Sequence, residues 1–217
     1  MFQNRSDAGR QLAEKLKNYQ AEEPIILALP RGGVPVGYEV SQALKAPLDI
    51  FIVRKVGPPW NPELGVGAVA PGVKILDENS LRMLRISASQ IQEIIEREQQ
   101  EVKRRQRLYC GNEDVPKVTG KTVILVDDGI ATGVTIKAAI EALKHLKAAK
   151  VILAVPVGPY DIIMALRAVV DDLICLETPY DFYAVSSFYR NFPQVSDEEV
   201  ISFLQKVSYR KRGSQEI

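Results

Sequence analysis

VILVDDGIATGVT, residues 123–135, decides the reading of this chain. Val123 to Val126 form an apolar run of the kind that lies buried in a parallel sheet. The run leads directly into two adjacent carboxylates, Asp127 and Asp128. A small-residue loop follows, bounded by Gly129 and Gly133 and holding Ile130, Ala131 and Thr132, and a helix is expected to begin around Thr135. Each part suits a sugar phosphate. Carboxylates accept hydrogen bonds from a vicinal diol, loop N–H groups and a helix N-terminus cradle a phosphate, and Thr132 and Thr135 add hydroxyl donors. The stretch lacks the Gly-x-Gly-x-x-Gly spacing of a dinucleotide fold, and no Gly-Lys-Ser/Thr follows as a nucleotide P-loop requires. The plainer alternative is a solvated strand end and an ordinary turn.

Outward from this stretch the chain alternates strands and helices. Asn4–Asn18 reads as a helix with Leu12 and Leu16 as its apolar seam. Pro24–Leu29 is a buried strand that breaks at Pro30-Arg31-Gly32-Gly33, and Pro35 stands where a helix can begin, with Val36, Val40 and Leu44 on its apolar side. A second strand is expected over Leu48–Val56, with Asp49 at its entrance and Arg54-Lys55 at its exit. This βαβ unit implies parallel strands. On the other side of the acid loop, a helix with Ile136, Ile140 and Leu143 inward precedes strand Val151–Val157, helix Asp161–Val169 and strand Leu173–Leu176. The pattern predicts an α/β fold with a mostly parallel central sheet covered on both faces, and ligands of such sheets bind at the carboxyl ends of strands. Both Pro30–Gly33 and Asp127–Thr135 fall there.

Between the two halves lies an insertion. Gly57–Gly67 is rich in glycine and proline and reads as a long loop. Val66–Ala70 and Val73–Leu76 read as an antiparallel ribbon around Pro71-Gly72. Ser87 with Gln90 forms a capping box for a long helix to about Leu108, with Ile91, Ile94, Ile95 and Val102 as its buried stripe.

The whole chain, 217 residues, is read as one domain: a core of about 24–176, terminal segments of about 1–20 and 177–217, and an insertion of about 57–110. With 46% hydrophobic and 25% charged residues and a net charge of +1, nothing favours nucleic acid or a membrane surface as a partner. No apolar run is long enough to span a bilayer, and Met1–Leu16 has charges where a secretory leader needs apolar residues. Cys110 and Cys175 lack metal-ligand spacing and are expected as free thiols in a reducing cytoplasm.

Pro30-Arg31-Gly32-Gly33 has the makings of a second anion site. Its glycines let backbone N–H groups approach closely, and Arg31 is a forked donor for phosphate oxygens. Arg54 and Lys55 are either cations for the same anion or a solvated strand end. Trp60 is either a lid contact or a packing anchor. Lys103, Arg104, Arg105 and Arg107 end a helix, where cations complement the dipole. His145 is expected to be exposed, and Met83 and Met164 are expected as core filler. From Leu176 onward aromatics crowd a short irregular stretch, including Phe182, Tyr183 and Tyr189, which can stack on a flat heterocycle or simply pack a small subdomain. Ser196 and Glu199 cap a last helix.

The acid loop resembles the phosphoribosyl-pyrophosphate (PRPP) loop of type I phosphoribosyltransferases, and Pro30–Gly33 resembles the pyrophosphate loop of the same family. The resemblance covers about Pro24 to Leu176. Phe2, Arg5, Ala8 and Gly9 at the start, and Phe192 to Val200 at the end, resemble one bacterial branch whose acceptor is unknown. The resemblance implies a cis Pro30–Arg31 peptide, and a hood over the sheet formed by the terminal segments, where Phe182, Tyr183 and Tyr189 would meet the acceptor. Asp127 and Asp128 would hold the ribose hydroxyls, directly or through the shell of a Mg²⁺ ion. Gly129, Ile130, Ala131, Thr132, Gly133 and Thr135 would hold the 5-phosphate. Pro30, Arg31, Gly32, Gly33, Arg54 and Lys55 would hold pyrophosphate, under a lid formed by Gly57–Gly67. Asp127, Asp128, Arg31 and Lys55 would be the catalytic set. It also implies a homodimer acting on small molecules in the cytoplasm. In 6-oxopurine enzymes of the family an aspartate stands where this chain has Ala131, so a purine proton acceptor is missing here. Adenine- and orotate-type members also lack that aspartate, but nothing here matches their hood motifs. Loss of pyrophosphate from PRPP and attack by a nitrogenous, heterocyclic acceptor is the expected reaction. A PRPP- or nucleotide-sensing protein without turnover is the alternative.

Overall fold

The computed structural model describes residues 1–58, 60, 61 and 64–213, and at Ala88 and residues 208–213 the backbone alone. Helix α1 (Arg5–Leu16) begins the chain, and a 3-10 turn (Lys17–Glu22) follows. Next come β1 (Ile25–Ala28), α2 (Gly33–Leu44) and β2 (Leu48–Ile50). The insertion holds β3 (Arg54–Val56), β4 (Gly67–Ala70), β5 (Val73–Leu76), α3 (Glu78–Met83) and α4 (Ala88–Cys110). The α/β pattern resumes with β6 (Thr122–Val126), α5 (Val134–His145), β7 (Lys150–Val157), α6 (Tyr160–Arg167) and β8 (Asp172–Glu177), and α7 (Asp197–Gly213) closes the chain.

The central sheet has five strands in the order β2-β1-β6-β7-β8, every neighbouring pair parallel. The expected α/β class is the observed one. Alternate side chains build the two faces. Ile26, Ile124 and Ile152 pack against Leu12 and Leu16 of α1 and Val36 and Val40 of α2. Leu27, Leu125 and Leu153 face Ile136, Ile140 and Leu143 of α5 and Ile163 and Leu166 of α6. Side chains this deeply buried each contribute about 1.5–3 kcal/mol relative to exposure. The chain runs outward from β1 to β2 on one side and from β6 to β8 on the other. The order therefore reverses between β1 and β6, and the loops leaving those strands diverge and open a crevice at their carboxyl ends.

The strand expected over Leu48–Val56 is two. β2 stops after Ile50 pairs with Ala28, and Arg54–Val56 pairs antiparallel with Gly67–Ala70 in a separate three-stranded sheet, β3-β4-β5. The cause is a change of core. Phe51 is buried with the α5–α6 side of the main sheet, whereas Ile52 and Val56 are buried against α4 and α7. A chain passing between two cores is apolar throughout, so its sequence does not show the bend. The β4–β5 ribbon and the α4 capping box of Ser87 and Gln90 are as expected, and Gly111, at φ +75°, ends α4. Helix α3 has no counterpart in the sequence reading; its N-cap is Asp77, which accepts from the Asn79 and Ser80 N–H groups. Met83 and Met164 are exposed rather than core filler, and His145 is exposed.

Pairing between the chain's two ends finishes the fold. Phe2 N–H donates to the Phe188 carbonyl (2.8 Å) and Arg190 N–H to the Phe2 carbonyl (2.9 Å). Phe2 and Tyr189 share a small core with Ala8 and Val157, bordered by Phe182, Val185, Phe188 and Phe192. Among the described residues no helix is long and apolar enough to cross a membrane.

Candidate active site

The loops after β1 and β6 touch. Leu29 N–H donates to the Val126 carbonyl (2.9 Å), which continues the ladder past the end of β1. The Pro30–Arg31 peptide is cis, as the resemblance implied. Gly32 lies directly against the second acid: a Cβ placed there would stand 2.0 Å from Asp128 Oδ2. At Gly33 a Cβ would meet the Val126 carbonyl at 2.7 Å and Asp127 Cα at 2.9 Å. Both glycines are therefore required by close approach, and a side chain at either would push the loops apart.

Within the acid loop, Ile130 is buried in the main core and its N–H donates to the Val157 carbonyl (2.8 Å), which pins the loop at its centre. Gly133 turns the chain into α5 at φ +71°, a left-handed conformation that favours glycine. Ala131, Thr132 and Thr135 remain exposed around the start of that helix. Its first-turn N–H groups and partial positive charge are features that can hold an anion.

The acids are held from several sides. Asp128 N–H donates to Asp127 Oδ1 (2.8 Å), and the Tyr189 hydroxyl donates to the Asp128 carbonyl (2.6 Å). Arg5 Nε donates to Asp128 Oδ2 at 2.7 Å, with both side chains largely buried. Burial, followed by the charge of Asp128, pushes the Asp127 carboxyl well above the ordinary carboxylate range. Burial also raises Asp128, and the Arg5 hydrogen bond and charge pull it partway back.

Two of the expected cations pair with carboxylates outside the acid loop. Arg31 Nη1 lies 3.5 Å from Asp197 Oδ1 at the start of α7, and the Tyr109 hydroxyl of α4 donates to that same oxygen (2.6 Å). Arg54 on β3 pairs with Glu98 of α4 at 2.9 Å. Lys55, opposite Ala68 in the β3–β4 pair, is half-buried. In the expected lid, Gly57 and Pro58 are buried and Trp60 is 60% exposed; Pro59, Pro62 and Glu63 lie outside the described residues.

The three aromatics proposed for an acceptor differ in position. Tyr183 is 95% exposed. Phe182 is half-buried and stacks on Phe188 at 5.8 Å between centroids. Tyr189 is buried between Phe2 and Phe192, and its hydroxyl holds the acid loop, so here it serves as a strut rather than an open stacking face. Cys110 and Cys175 are free, and burial pushes each thiol up to about 12, so neither offers a ready thiolate.

Sequence reasoning gave no site role to Arg5, Glu98, Tyr109 or Asp197. For Arg5 a signal existed: it is the first residue of α1, where the helix dipole disfavours a cation. Asp197 sits inside a capping box whose Ser196 and Glu199 do cap α7, and that local explanation concealed its contact with Arg31.

Two loops joined at the switch point of a parallel sheet, one with an acid pair beside a helix N-terminus and the other with an arginine before two close-packed glycines, form the candidate site. Residues 2–193 match the family described as phosphoribosyl transferase domain, and the chain belongs to that family. The curated protein "Putative phosphoribosyl transferase Rv0571c" of Mycobacterium tuberculosis H37Rv is 44% identical over 208 residues, and its counterpart in strain CDC 1551 matches equally. These matches cover 95% of this chain but 47% of each relative, so the chain spans about half the length of the curated relatives it matches. The crystal structure of the Thermus thermophilus protein TT1426 is similar along nearly its whole length: TM-score 0.85 and 36% identity, over 95% of this chain and 98% of that one.

Proposed function

We propose that this protein transfers a 5-phosphoribosyl group from PRPP to a nitrogenous, heterocyclic acceptor and releases pyrophosphate. One observation carries the reading: the close packing of the two loops, with Gly32 against the Asp128 carboxylate. On this reading it joins the acids assigned to the ribose hydroxyls with the arginine assigned to pyrophosphate, and the helix end assigned to the 5-phosphate continues the acid loop. Asp127 and Asp128 accept from the ribose hydroxyls, and the loop from Gly129 to Thr135 binds the 5-phosphate. Arg31, the N–H groups of Gly32 and Gly33, and Arg54 with Lys55 take the leaving pyrophosphate. As the bond to pyrophosphate lengthens, positive charge grows on the sugar ring, and the Asp128 carboxylate is the group assigned to stabilise it. Phe182 and Tyr183 border the acceptor side.

The donor set fits Mg²⁺ held mainly by substrate. Among the described residues no three Asp, Glu, His or Cys side chains gather into a metal cage. Mg²⁺ is commonly held by one or two carboxylates together with substrate phosphates and water, and Asp127 and Asp128 supply that share. When bound, the ion neutralises charge on the leaving group.

Thermal melting tests the donor. With Mg²⁺, PRPP at about a hundred times its Kd should raise the melting temperature by roughly 5–10 °C. No rise would refute the reading. A screen of bases and amines for pyrophosphate release then identifies the acceptor. Donor binding without release for any of them would favour a PRPP sensor, a state in which Arg31 and Arg54 keep their internal carboxylates.

A further inference from the structure

Arg5 is buried at the first residue of a helix, a place that favours neither burial of a guanidinium nor a positive charge. Three contacts from three directions account for it. Nε donates to Asp128 Oδ2 (2.7 Å) and Nη1 donates to the Pro193 carbonyl (2.7 Å). The guanidinium carbon stands 3.7 Å from the centroid of the Phe192 ring. A planar, forked group engaged on two edges and one face has no free rotamer left, so it passes its own fixed position to whatever it binds. The anchors are fixed in turn. Phe192 packs on Tyr189, and Tyr189 holds the Asp128 carbonyl. The backbone on either side of Arg5 is tied by the Phe2–Phe188 and Phe2–Arg190 hydrogen bonds and by the Asn4 cap of α1.

The geometry points to Arg5 as a positioning residue for sugar recognition: clamped between Asp128, Pro193 and Phe192, it orients the Asp128 carboxylate toward the ribose hydroxyls. This rests on the function proposed above and adds a residue outside both loops. One bond from Arg5 uses only part of a carboxylate that has about four acceptor sites, so orientation is set while capacity for a diol remains. Gly32 is the complementary feature, because only a residue without Cβ leaves Asp128 Oδ2 in reach of Arg5. Arg31 has its own carboxylate partner, Asp197, so the pair that Arg5 makes with Asp128 is separate from it. Its effect is therefore confined to the sugar half of the donor.

The test uses the full chain, the variants Arg5→Gln and Arg5→Lys, and calorimetric titration in Mg²⁺ with three probes: PRPP, ribose 5-phosphate and inorganic pyrophosphate. For Arg5→Gln, PRPP and ribose 5-phosphate should bind about tenfold or more weakly, the usual effect of losing a charge-assisted hydrogen bond, while pyrophosphate binding is unchanged. Arg5→Lys keeps the charge and should recover part of the loss. If the glutamine variant fails to fold, the lysine variant still shows the split, with a smaller loss confined to the two sugar probes. A uniform loss for all three probes would mean a purely structural role and would overturn the inference, as would unchanged sugar binding. A wild-type protein that binds none of the probes refutes the functional reading itself and removes this inference with it.

Discussion

On the side of the site formed by the loop after β6, Asp128 meets Arg5 at 2.7 Å, with the two side chains 15% and 10% exposed. On the side formed by the loop after β1, Arg31 meets Asp197 at 3.5 Å, with the side chains 35% and 38% exposed. Both halves balance their charge internally, yet the two pairs have different consequences. Breaking a buried pair strands a charge away from water, whereas an exposed pair is worth about 0–1 kcal/mol. The acid half is therefore assembled before any ligand arrives. The Arg31–Asp197 pair can separate at small cost. Arg54 with Glu98 is intermediate, since Glu98 is buried but Arg54 is 38% exposed.

The largest expected effect comes from breaking the buried pair. Arg5→Gln should lower unfolding stability by up to about 3–5 kcal/mol, the range for an orphaned buried charge, reduced to the extent that Asp128 takes up a proton. Urea unfolding measures it. A loss below about 1 kcal/mol would place this pair with the exposed ones and dissolve the contrast. Next is Asp127→Asn. Burial and the adjacent Asp128 disfavour the Asp127 charge, so its removal should leave the free protein at least as stable while abolishing the melting shift with PRPP. A variant that loses stability and keeps the shift would remove Asp127 from the site.

These contrasts explain how far the sequence could be read. The two loops are legible because each concentrates its chemistry in a few consecutive residues: acids, glycines and hydroxyls after one strand, and Pro-Arg-Gly-Gly after another. Even Ile130 is expected at the site from its place in the motif, and the structure adds that its side chain anchors the loop in the core. The groups that hold the loops in place are not legible. Arg5 reaches Asp128 across 123 positions, and Arg31 reaches Asp197 across 166. No local pattern reports a contact of that separation. The bend after Ile50 is hidden for a related reason: Phe51 and Ile52 are both apolar, but they serve different cores. Tyr189 reads as a face for stacking because an aromatic's polar tip is silent in sequence, and here that tip decides its place.

On the exposed half the effects shrink. Asp197→Asn should change the melting temperature little at neutral pH, since the pair it breaks is solvent-accessible. It also frees Arg31, so pyrophosphate should bind a few-fold more tightly, about the reciprocal of the competition removed. Weaker pyrophosphate binding would show that Asp197 orients Arg31 rather than competing for it. The pH dependence has a definite sign. The Tyr109 hydrogen bond leads the causes that hold the Asp197 carboxyl below its ordinary range. Its contribution to stability is thus complete above that range and lost as pH falls below it, and the variant should lack that part of the acid loss.

Glu101 calibrates the smallest effect, because it belongs to α4 and to neither loop, and pairs with Arg104 and Arg105. Those hydrogen bonds, Arg104 first, lower its carboxyl from 4.5 to about 2. A depressed carboxylate stabilises the fold above its unfolded value and ceases to do so as pH falls through its folded value. The Glu101 contribution should therefore persist at neutral pH and disappear between about pH 4.5 and about 2. Since the arginines are solvent-accessible, Glu101→Gln should cost only about 0.3–1 kcal/mol at pH 7, shrinking to nothing near pH 2 and at high salt. Melting curves of both proteins across that range measure it. If the cost equalled that of Arg5→Gln, exposure would not be what separates the two halves of the site, and the release of Arg31 from Asp197 would need another explanation.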